Sequence, residues 1–328
     1  IVLVRGVLIP TDRRINTVKL QVSRLFKMSI LIQALCIGSP VPTPAQRARS
    51  SSHQDYQLKV DVNLTSVLAT VTTADGALVA DLKQEDFQVF ENDQLQTIAV
   101  FGREMDQPLR LSLLFDSSVS ILTEIKVEQE AAIEFLREIL RTVDRVSVFQ
   151  ISEEVQELVR NDNRTDRIAA AIRSIKAHGG TSLYDAIYLA AEEMAKASGR
   201  KVVLIVSDGT DTTSQLELKD SLKMCQNSEA LVYALVVQPI KSEPGRNLAG
   251  EHAMIYLAEK TGGRFFKVTS PESYRSTFAA IGNELRTQYY LAYYSKQKTV
   301  EEGFRTIEIK VRNPAYIVRH RAGFYSTP

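Results

Sequence analysis

The sequence predicts an α/β fold in which a mostly parallel sheet has helices on both faces and is flanked by a small antiparallel β domain built from both termini. Strand-like and helix-like segments alternate between residues 109 and 286, which is typical of a parallel sheet with crossover helices. On each side of this region the pattern contains only short strands. The chain has 328 residues, of which 44% are hydrophobic and 24% charged, an ordinary globular composition.

Composition and charge argue against several other classes of protein. Fifteen glycines and ten prolines are too few for a collagen-like or low-complexity chain, and two cysteines are too few for a disulfide scaffold or a multi-cysteine metal site. Residues 1–50 carry eight basic residues and one acidic residue, a net charge of +7, whereas the rest carries 32 and 38, a net charge of −6. Because this larger part is mildly acidic, we expect no nucleic-acid partner.

Residues 1–50 are similar to a leader segment. Basic residues precede a short apolar run at 28–37, and the small residues Thr43 and Ala45 follow it. This order is typical of a secretory signal peptide, and the apolar run is too short to span a bilayer. We therefore expect an exported protein, periplasmic or extracellular, with no transmembrane segment in the mature chain.

An N-terminal β unit is predicted over residues 55–107. Residues 58–64 alternate apolar and polar side chains, as a half-buried strand does. The Asp75-Gly76 pair favours a hairpin turn, because this dipeptide readily adopts positive φ angles. Further strands are expected at 67–73, 87–91 and 97–101.

The central region, residues 108–286, has the alternating pattern. Its first strand, 109–115, is a mostly apolar run, as in a strand covered on both faces. Residues 202–206 form the most apolar strand of the chain, and 155–159 is expected to be an edge strand. The remaining strands are predicted at 146–151, 231–237 and 264–268. Helices are predicted at 123–140, 165–176, 183–197, 215–226, 248–260 and 272–286.

Residues 287–328 return to a strand-like pattern. Strands are expected at 289–294 and 304–311, with a short piece at 316–318. These segments and the N-terminal β unit are each too small to bury a core alone. We therefore expect them to pair with each other.

Oxygen-bearing side chains cluster where the central strands end. Asp116, Ser118 and Ser120 follow the first central strand, and Asp208 follows the most apolar one. Thr181 stands between them in sequence, after a Gly-Gly pair and before a predicted helix. Ligands of open α/β sheets gather at this edge. Two carboxylates with hydroxyls form an oxygen-only set that suits Mg²⁺, with Mn²⁺ and Ca²⁺ as alternatives.

Each of these segments alone is better explained by turns or helix N-caps. Their order and spacing together are more specific. Three segments, Asp116-x-Ser118-x-Ser120, Gly179-Gly180-Thr181 and Ser207-Asp208-Gly209, occur in this order. Through them, and over roughly residues 108–285, the chain resembles the von Willebrand factor A (VWA) domains. In that family the three segments form the metal-ion-dependent adhesion site (MIDAS). The flanks resemble exported bacterial VWFA-related proteins, through Gly76, Asp86-Phe87 and the basic Gly-aromatic segment 321–325.

The resemblance implies a Rossmann-like fold and assigns a role to each site residue. Ser118, Ser120 and, in some states, Thr181 are implied to contact the metal directly. Asp116 and Asp208 are implied to act mainly through water or hydroxyl hydrogen bonds. The implied function is metal-dependent protein binding without enzymatic activity, in which the cation accepts an Asp or Glu carboxylate from a partner protein.

Two alternatives remain open at this point. One is an intracellular VWA subunit that serves an ATPase or chelatase complex. The other is a Mg²⁺-dependent phosphotransfer enzyme, but Ser118 stands where a haloacid-dehalogenase-type phosphatase needs a second Asp as its general acid. We interpret the nearby Asp211 as a helix N-cap or as a support for the metal ligands.

Overall fold

The structure, a computed structural model, describes residues 2–4, 7–9, 64–103, 107–118, 125–176, 179–237, 248–297 and 303–326. The chain divides into two compact units, Ile1–Asp61 and Val62–Pro328. In the first unit, β1 (Val2–Val4) pairs antiparallel with β2 (Val7–Ile9). The rest of the predicted leader and residues 58–63 of the predicted first strand lie outside the described residues, so the leader stays a prediction.

The second unit contains all the other elements. Its strands are β3 (Leu64–Thr72), β4 (Phe87–Glu91), β5 (Gln94–Gln96), β6 (Ile98–Arg103), β7 (Leu109–Asp116), β8 (Arg145–Ile151), β9 (Gln156–Asp162), β10 (Arg200–Ser207), β11 (Leu231–Val237), β12 (Arg264–Val268), β13 (Tyr289–Tyr294), β14 (Gly303–Val311), β15 (Ile317–His320) and β16 (Gly323–Ser326). Its helices are α1 (Ile125–Ile139), α2 (Thr165–Ser174), α3 (Leu183–Met194), α4 (Leu218–Ser228), α5 (Leu248–Thr261) and α6 (Pro271–Thr287). No helix in the described ranges is both long enough and apolar enough to cross a lipid bilayer.

The central domain, from β7 to α6, is built on a six-stranded sheet with the order β12-β11-β10-β7-β8-β9. All neighbouring strands are parallel except β9, which runs antiparallel to β8 at the edge. Helices α1, α2 and α6 contribute to the apolar core on one face, and α3, α4 and α5 to the core on the other. This arrangement confirms the predicted α/β fold with helices on both faces.

The strand order reverses between β7 and β10. After β7 the chain adds β8 and β9 on one side, and it then returns to place β10 on the other side, where Val206 pairs with Phe115 of β7. A crevice at the carboxyl ends of such strands is where open α/β sheets bind ligands. Asp116 and Ser207 are the last residues of these two strands.

The β domain consists of two four-stranded antiparallel sheets, β15-β3-β13-β6 and β16-β14-β4-β5. They share an apolar core to which Val67, Phe87, Tyr289 and Ile307 contribute from both sheets. In each sheet N-terminal strands pair with C-terminal strands. The prediction of one antiparallel β domain built from both termini is therefore confirmed.

The structure differs from the sequence prediction at the short elements. The turn at Asp75-Gly76 is present, with φ of +87° at Gly76. Beyond it, however, only a single bridge forms between Thr72 and Leu78, so no hairpin follows. Strands β5 and β16 were not predicted, because segments of three or four residues are too short to show a periodic pattern.

Candidate metal centre

Asp116 is the central residue of the candidate site. It ends β7 and is only 1% exposed. Its Oδ2 accepts a hydrogen bond from Ser207 Oγ at 2.6 Å, and its Oδ1 accepts one from the backbone N–H of Ser118 at 2.8 Å. One bond crosses to β10 and the other closes the turn after β7, so the carboxylate has a fixed orientation. A carboxylate offers about four lone-pair positions, so it keeps capacity for further contacts.

The charge at Asp116 is not balanced by a basic side chain. Burial raises the pKa of Asp116 to about 6; hydrogen bonds from Ser207 and Ser118 oppose this rise, and the negative charge of Asp208 adds to it. Within the described part of the chain, no lysine, arginine or histidine forms an ion pair with Asp116. Two neighbouring carboxylates, one of them buried, form an arrangement that a divalent cation would stabilise.

Asp208 lies in the turn that follows β10. It is half-buried, and its Oδ1 accepts a hydrogen bond from Thr210 N at 2.8 Å. Gly209 has φ of +80°, and its N–H donates to Ser207 Oγ at 3.0 Å. A Cβ at Gly209 would lie 2.9 Å from the carbonyl carbon of Gly250 in α5. Glycine is therefore needed for the tight turn that follows Asp208.

Two sets of hydrogen bonds hold the loop that contains Thr181. Thr181 is 2% exposed; its N–H donates to Thr212 Oγ1 at 2.9 Å, and its carbonyl accepts from Thr212 N at 2.8 Å. The next residue, Ser182, donates through its N–H to the carbonyl of Ser152, just after β8, at 2.9 Å. The loop is thus attached both to the end of β8 and to the loop that follows Asp208.

Two aspartates connect the loop after β10 with the first turn of α3. Asp211 Oδ1 accepts hydrogen bonds from Leu183 N at 2.8 Å and Tyr184 N at 3.3 Å. In return, Asp185 of α3 accepts from Leu216 N at 2.9 Å. Asp211 therefore caps a helix, as the sequence indicated, and the helix that it caps is α3, which precedes it in the chain.

The structure brings most of the predicted site residues to the same edge of the sheet. Ser118 hydrogen-bonds to Asp116, Asp208 lies close enough to raise its pKa, and Thr181 is tied to the loop after Asp208. Ser120 lies outside the described residues. No group of three or more His, Cys, Asp or Glu side chains suited to a metal occurs in the ranges described. The donor set here therefore depends on hydroxyl groups in addition to the two carboxylates, and these are the oxygen ligands that Mg²⁺ prefers.

Three contributing residues were given no role from the sequence, namely Ser207, Thr212 and Asp185. Ser207 has a recognisable signal, because it ends the most apolar strand and directly precedes Asp208. Asp185 and Thr212 have no such signal in the sequence. An Asp in the first turn of a helix is already explained by its favourable interaction with the helix dipole, and Thr212 lies in a polar loop.

Comparison with protein families places this site in a known context. The profile of the von Willebrand factor type A domain matches residues 111–280, more than half of the chain. The chain belongs to the von Willebrand factor type A domain family. The matched range runs from β7 into α6 and contains every predicted site residue. We therefore refer to the central domain as the VWA domain.

The solved structures to which this chain is similar share little sequence with it. A von Willebrand factor type A protein from Catenulispora acidiphila is 11% identical, with 72% of this chain and 73% of that chain covered and a TM-score of 0.49. An aerotolerance-related membrane protein from Bacteroides fragilis is 18% identical, with 54% and 98% covered and a TM-score of 0.43. A variant of the PilB minor pilin from Streptococcus sanguinis is 11% identical, with 55% and 62% covered and a TM-score of 0.45. No curated protein sequence matches this chain significantly.

We expect the metal-free protein to lose stability as the pH rises through the titration range of Asp116. The ordinary pKa of 3.8 rises to about 6 in the folded state, so the folded protein binds this proton more tightly than the unfolded chain. The stabilisation is fully present below about pH 4 and is lost as the pH rises through about 6. The shift corresponds to roughly 3 kcal/mol. Urea unfolding in EDTA at several pH values should show this trend in the wild type but not in Asp116→Asn. A stability difference between the two proteins that does not change with pH would contradict it.

We expect Asp211→Ala to act mainly on stability. The change leaves Leu183 N without its side-chain acceptor, while Tyr184 N keeps Ser214 Oγ at 3.1 Å. Losing a helix cap typically costs about 1–2 kcal/mol. Urea unfolding measures this cost, with Asp166→Ala in the exposed first turn of α2 as the control that should cost less. Calorimetric titration with Mg²⁺ should show a smaller loss of affinity than a change at Asp116. An equal or larger loss would place Asp211 among the metal ligands.

Proposed function

We propose that this chain is an exported protein-binding protein whose VWA domain holds a divalent cation, Mg²⁺ first among the candidates, in a MIDAS-type site. The cation accepts an Asp or Glu carboxylate from a partner protein. Membership of the VWA family supports an interaction role. The observation that carries the metal site is the buried Asp116 carboxylate, held by Ser207 and Ser118 and placed beside Asp208 at the reversal of strand order.

The residues divide into two roles. Ser118 and Thr181, together with Ser120, would supply hydroxyl oxygens to the cation. Asp116 is turned toward Ser118 and Ser207, and we assign it the orientation of hydroxyls and metal-bound water. A cation held largely by neutral hydroxyls supplies residual positive charge that attracts a carboxylate. The hydrogen bonds of Thr181 with Thr212 keep its loop at the rim of the site.

The same arrangement does not favour a phosphotransfer enzyme. Such an enzyme needs a general acid near the carboxylate that takes part in the chemistry. The residue two positions after Asp116 is Ser118, whose backbone and side chain both hydrogen-bond to Asp116. We therefore propose a binding function without catalysis.

The experiment that tests this function is a titration with Mn²⁺, which reports on water bound to the metal. Binding at the site should enhance water proton relaxation, and a peptide with an exposed Asp or Glu should reduce that enhancement by displacing a metal-bound water. The same peptide with Asn or Gln is the matched control and should have no effect. Absence of saturable binding at millimolar Mn²⁺ would refute the metal site. N-terminal sequencing of the protein from its native cell tests export, and an intact N-terminus in the cytoplasm would support the intracellular alternative.

A further inference from the structure

A cavity lies at the opposite end of the VWA sheet from the candidate metal centre. It has a volume of about 170 Å³ and is lined by residues of both domains, including Ser66 and Tyr290 of the β domain and Lys201 of the VWA domain. Strand β10 connects the two sites, since it begins at Arg200 beside this cavity and ends at Ser207. Its length is roughly 23 Å at the usual rise per strand residue, so this cavity is separate from the metal centre.

The charged residues that line the cavity are mostly basic. Arg200, Lys201 and Arg321 are 7%, 9% and 5% exposed, and Glu229 is the acidic residue among the described residues of the lining. Arg200 donates to the carbonyl of Leu285, so Lys201 and Arg321 together with Glu229 leave an excess of one positive charge at this wall. Basic side chains that are so strongly buried are rare unless they are paired, so each of them requires a partner.

Lys201 has no such partner in the described structure. Its ammonium group forms no hydrogen bond and no ion pair with any described residue. Burial lowers the pKa of Lys201; the charge of Glu229 opposes this shift, and that of Arg321 adds to it. An ammonium has three N–H donors, and Lys201 Nζ is not among the fully enclosed polar atoms, so these donors are open to the cavity that the residue lines.

Arg321 also has an unused donor. Its Nη2 donates to the carbonyl of Ser66 at 2.6 Å and to Glu229 Oε1 at 3.0 Å. Its Nε is buried and has no hydrogen-bond partner among the described residues. The N–H groups available at the wall of the cavity therefore come from the Lys201 ammonium, and the charge of Arg321 lies beside them.

Charge balance with Glu229 does not explain Lys201. The Glu229 carboxylate already accepts from Arg321 at one oxygen and from Ser66 Oγ at the other, both at 3.0 Å, and its side chain is 41% exposed. Both Glu229 oxygens thus accept hydrogen bonds from other residues, and Lys201 donates to neither of them. An additional anion would satisfy the ammonium group.

We propose that this cavity binds a small oxyanion of the phosphate class, held by Lys201 and Arg321. A phosphate group carries roughly −1.5 to −2 charge near neutral pH, a sign that complements the ammonium of Lys201 and the guanidinium of Arg321. It also offers several acceptor oxygens to the unused N–H groups. Because Lys201 belongs to the VWA domain and Arg321 to the β domain, the bound anion connects the two domains.

The test is calorimetric titration of the full chain with inorganic phosphate, at constant ionic strength and without divalent cations. We expect saturable binding to the wild type and a loss of affinity of about tenfold or more in Lys201→Met. Lys267→Met, at an exposed lysine of β12 in the same sheet, is the matched control and should leave phosphate affinity unchanged. A parallel titration with phosphoserine distinguishes two sources of the phosphate group. Tighter binding of phosphoserine indicates that the natural ligand carries its phosphate on a larger molecule, and tighter binding of inorganic phosphate indicates the free ion.

Thermal unfolding separates this role from a structural one. Without phosphate, Lys201→Met should unfold at a higher temperature than the wild type, because the change removes a positive charge whose solvation is reduced by burial. Added phosphate should raise the unfolding temperature of the wild type and raise that of Lys201→Met less at the same concentration. Equal phosphate affinity in the two proteins, no saturable binding to the wild type, or a lower unfolding temperature of Lys201→Met without phosphate would each overturn the proposal.

Discussion

Replacing Asp116 by Asn will reduce the Mg²⁺ affinity of this protein by about 10–100-fold, the usual range for groups that orient metal ligands. The substitution removes one of the two carboxylate charges at the site but keeps nearly the same shape. The Asn carbonyl can still accept from Ser118 N, and its amide can donate to Ser207 Oγ, so the turn after β7 should persist. Calorimetric titration with Mg²⁺ and Mn²⁺ measures the loss, and circular dichroism checks the fold.

Asp144→Asn is a matched control for this experiment. Asp144 is also 1% exposed, but it lies at the other end of β7, where it accepts from Leu109 N at 2.7 Å and pairs with Arg141 at 3.1 Å. Its substitution should lower stability and leave Mg²⁺ affinity unchanged. If Asp116→Asn binds Mg²⁺ as tightly as the wild type does, the assignment of the metal site is wrong.

Arg305→Met will destabilise the β domain by about 3–5 kcal/mol, the usual cost of removing one partner from a buried ion pair. Arg305 of β14 donates to Glu91 Oε1 of β4 at 2.8 Å, and the side chain of Glu91 is fully buried. Without Arg305, the Glu91 carboxylate loses its cation and keeps a hydrogen bond from Ser295 Oγ at 2.7 Å. Urea unfolding, followed by protease cleavage within residues 64–103, reports on this domain.

The same strand provides the control. Lys310 of β14 pairs with Glu308 at 3.1 Å, and both side chains are about half exposed (54% and 52%). Exposed pairs contribute at most about 1 kcal/mol, so Lys310→Met should have little effect. Similar destabilisation by the two substitutions would show that the buried pair does not hold β4 and β14 together.

The sequence was most informative where strands are covered on both faces. Such strands need apolar side chains on both faces of the sheet, so residues 202–206 and 231–237 stand out as continuous apolar runs. Both runs are buried strands in the structure. The short strands β5 and β16 owe their existence to longer neighbours, β4 and β14, with which they pair. Their own few residues carry too little information to predict them.

The same contrast applies to the polar residues. Asp116 and Asp208 could be placed at one edge of the sheet, because each directly follows an apolar strand. The exchange of hydrogen bonds between Asp211 and the start of α3 could not be predicted, since its partners belong to separate segments. The lack of a partner for Lys201 is likewise a property of the folded structure, because in the sequence this residue is one more lysine at the start of a strand.

The position of β3 has a consequence for how the chain folds as it is synthesised. Both neighbours of β3, the strands β13 and β15, come from the last part of the chain, after residue 288. The VWA sheet is completed from one continuous stretch, but β3 must wait until nearly the whole chain has left the ribosome. Contacts between such distant residues form slowly, and an unpaired apolar strand can join strands of other chains. A chain that ends before residue 289 would leave β3 without either partner and prone to aggregation.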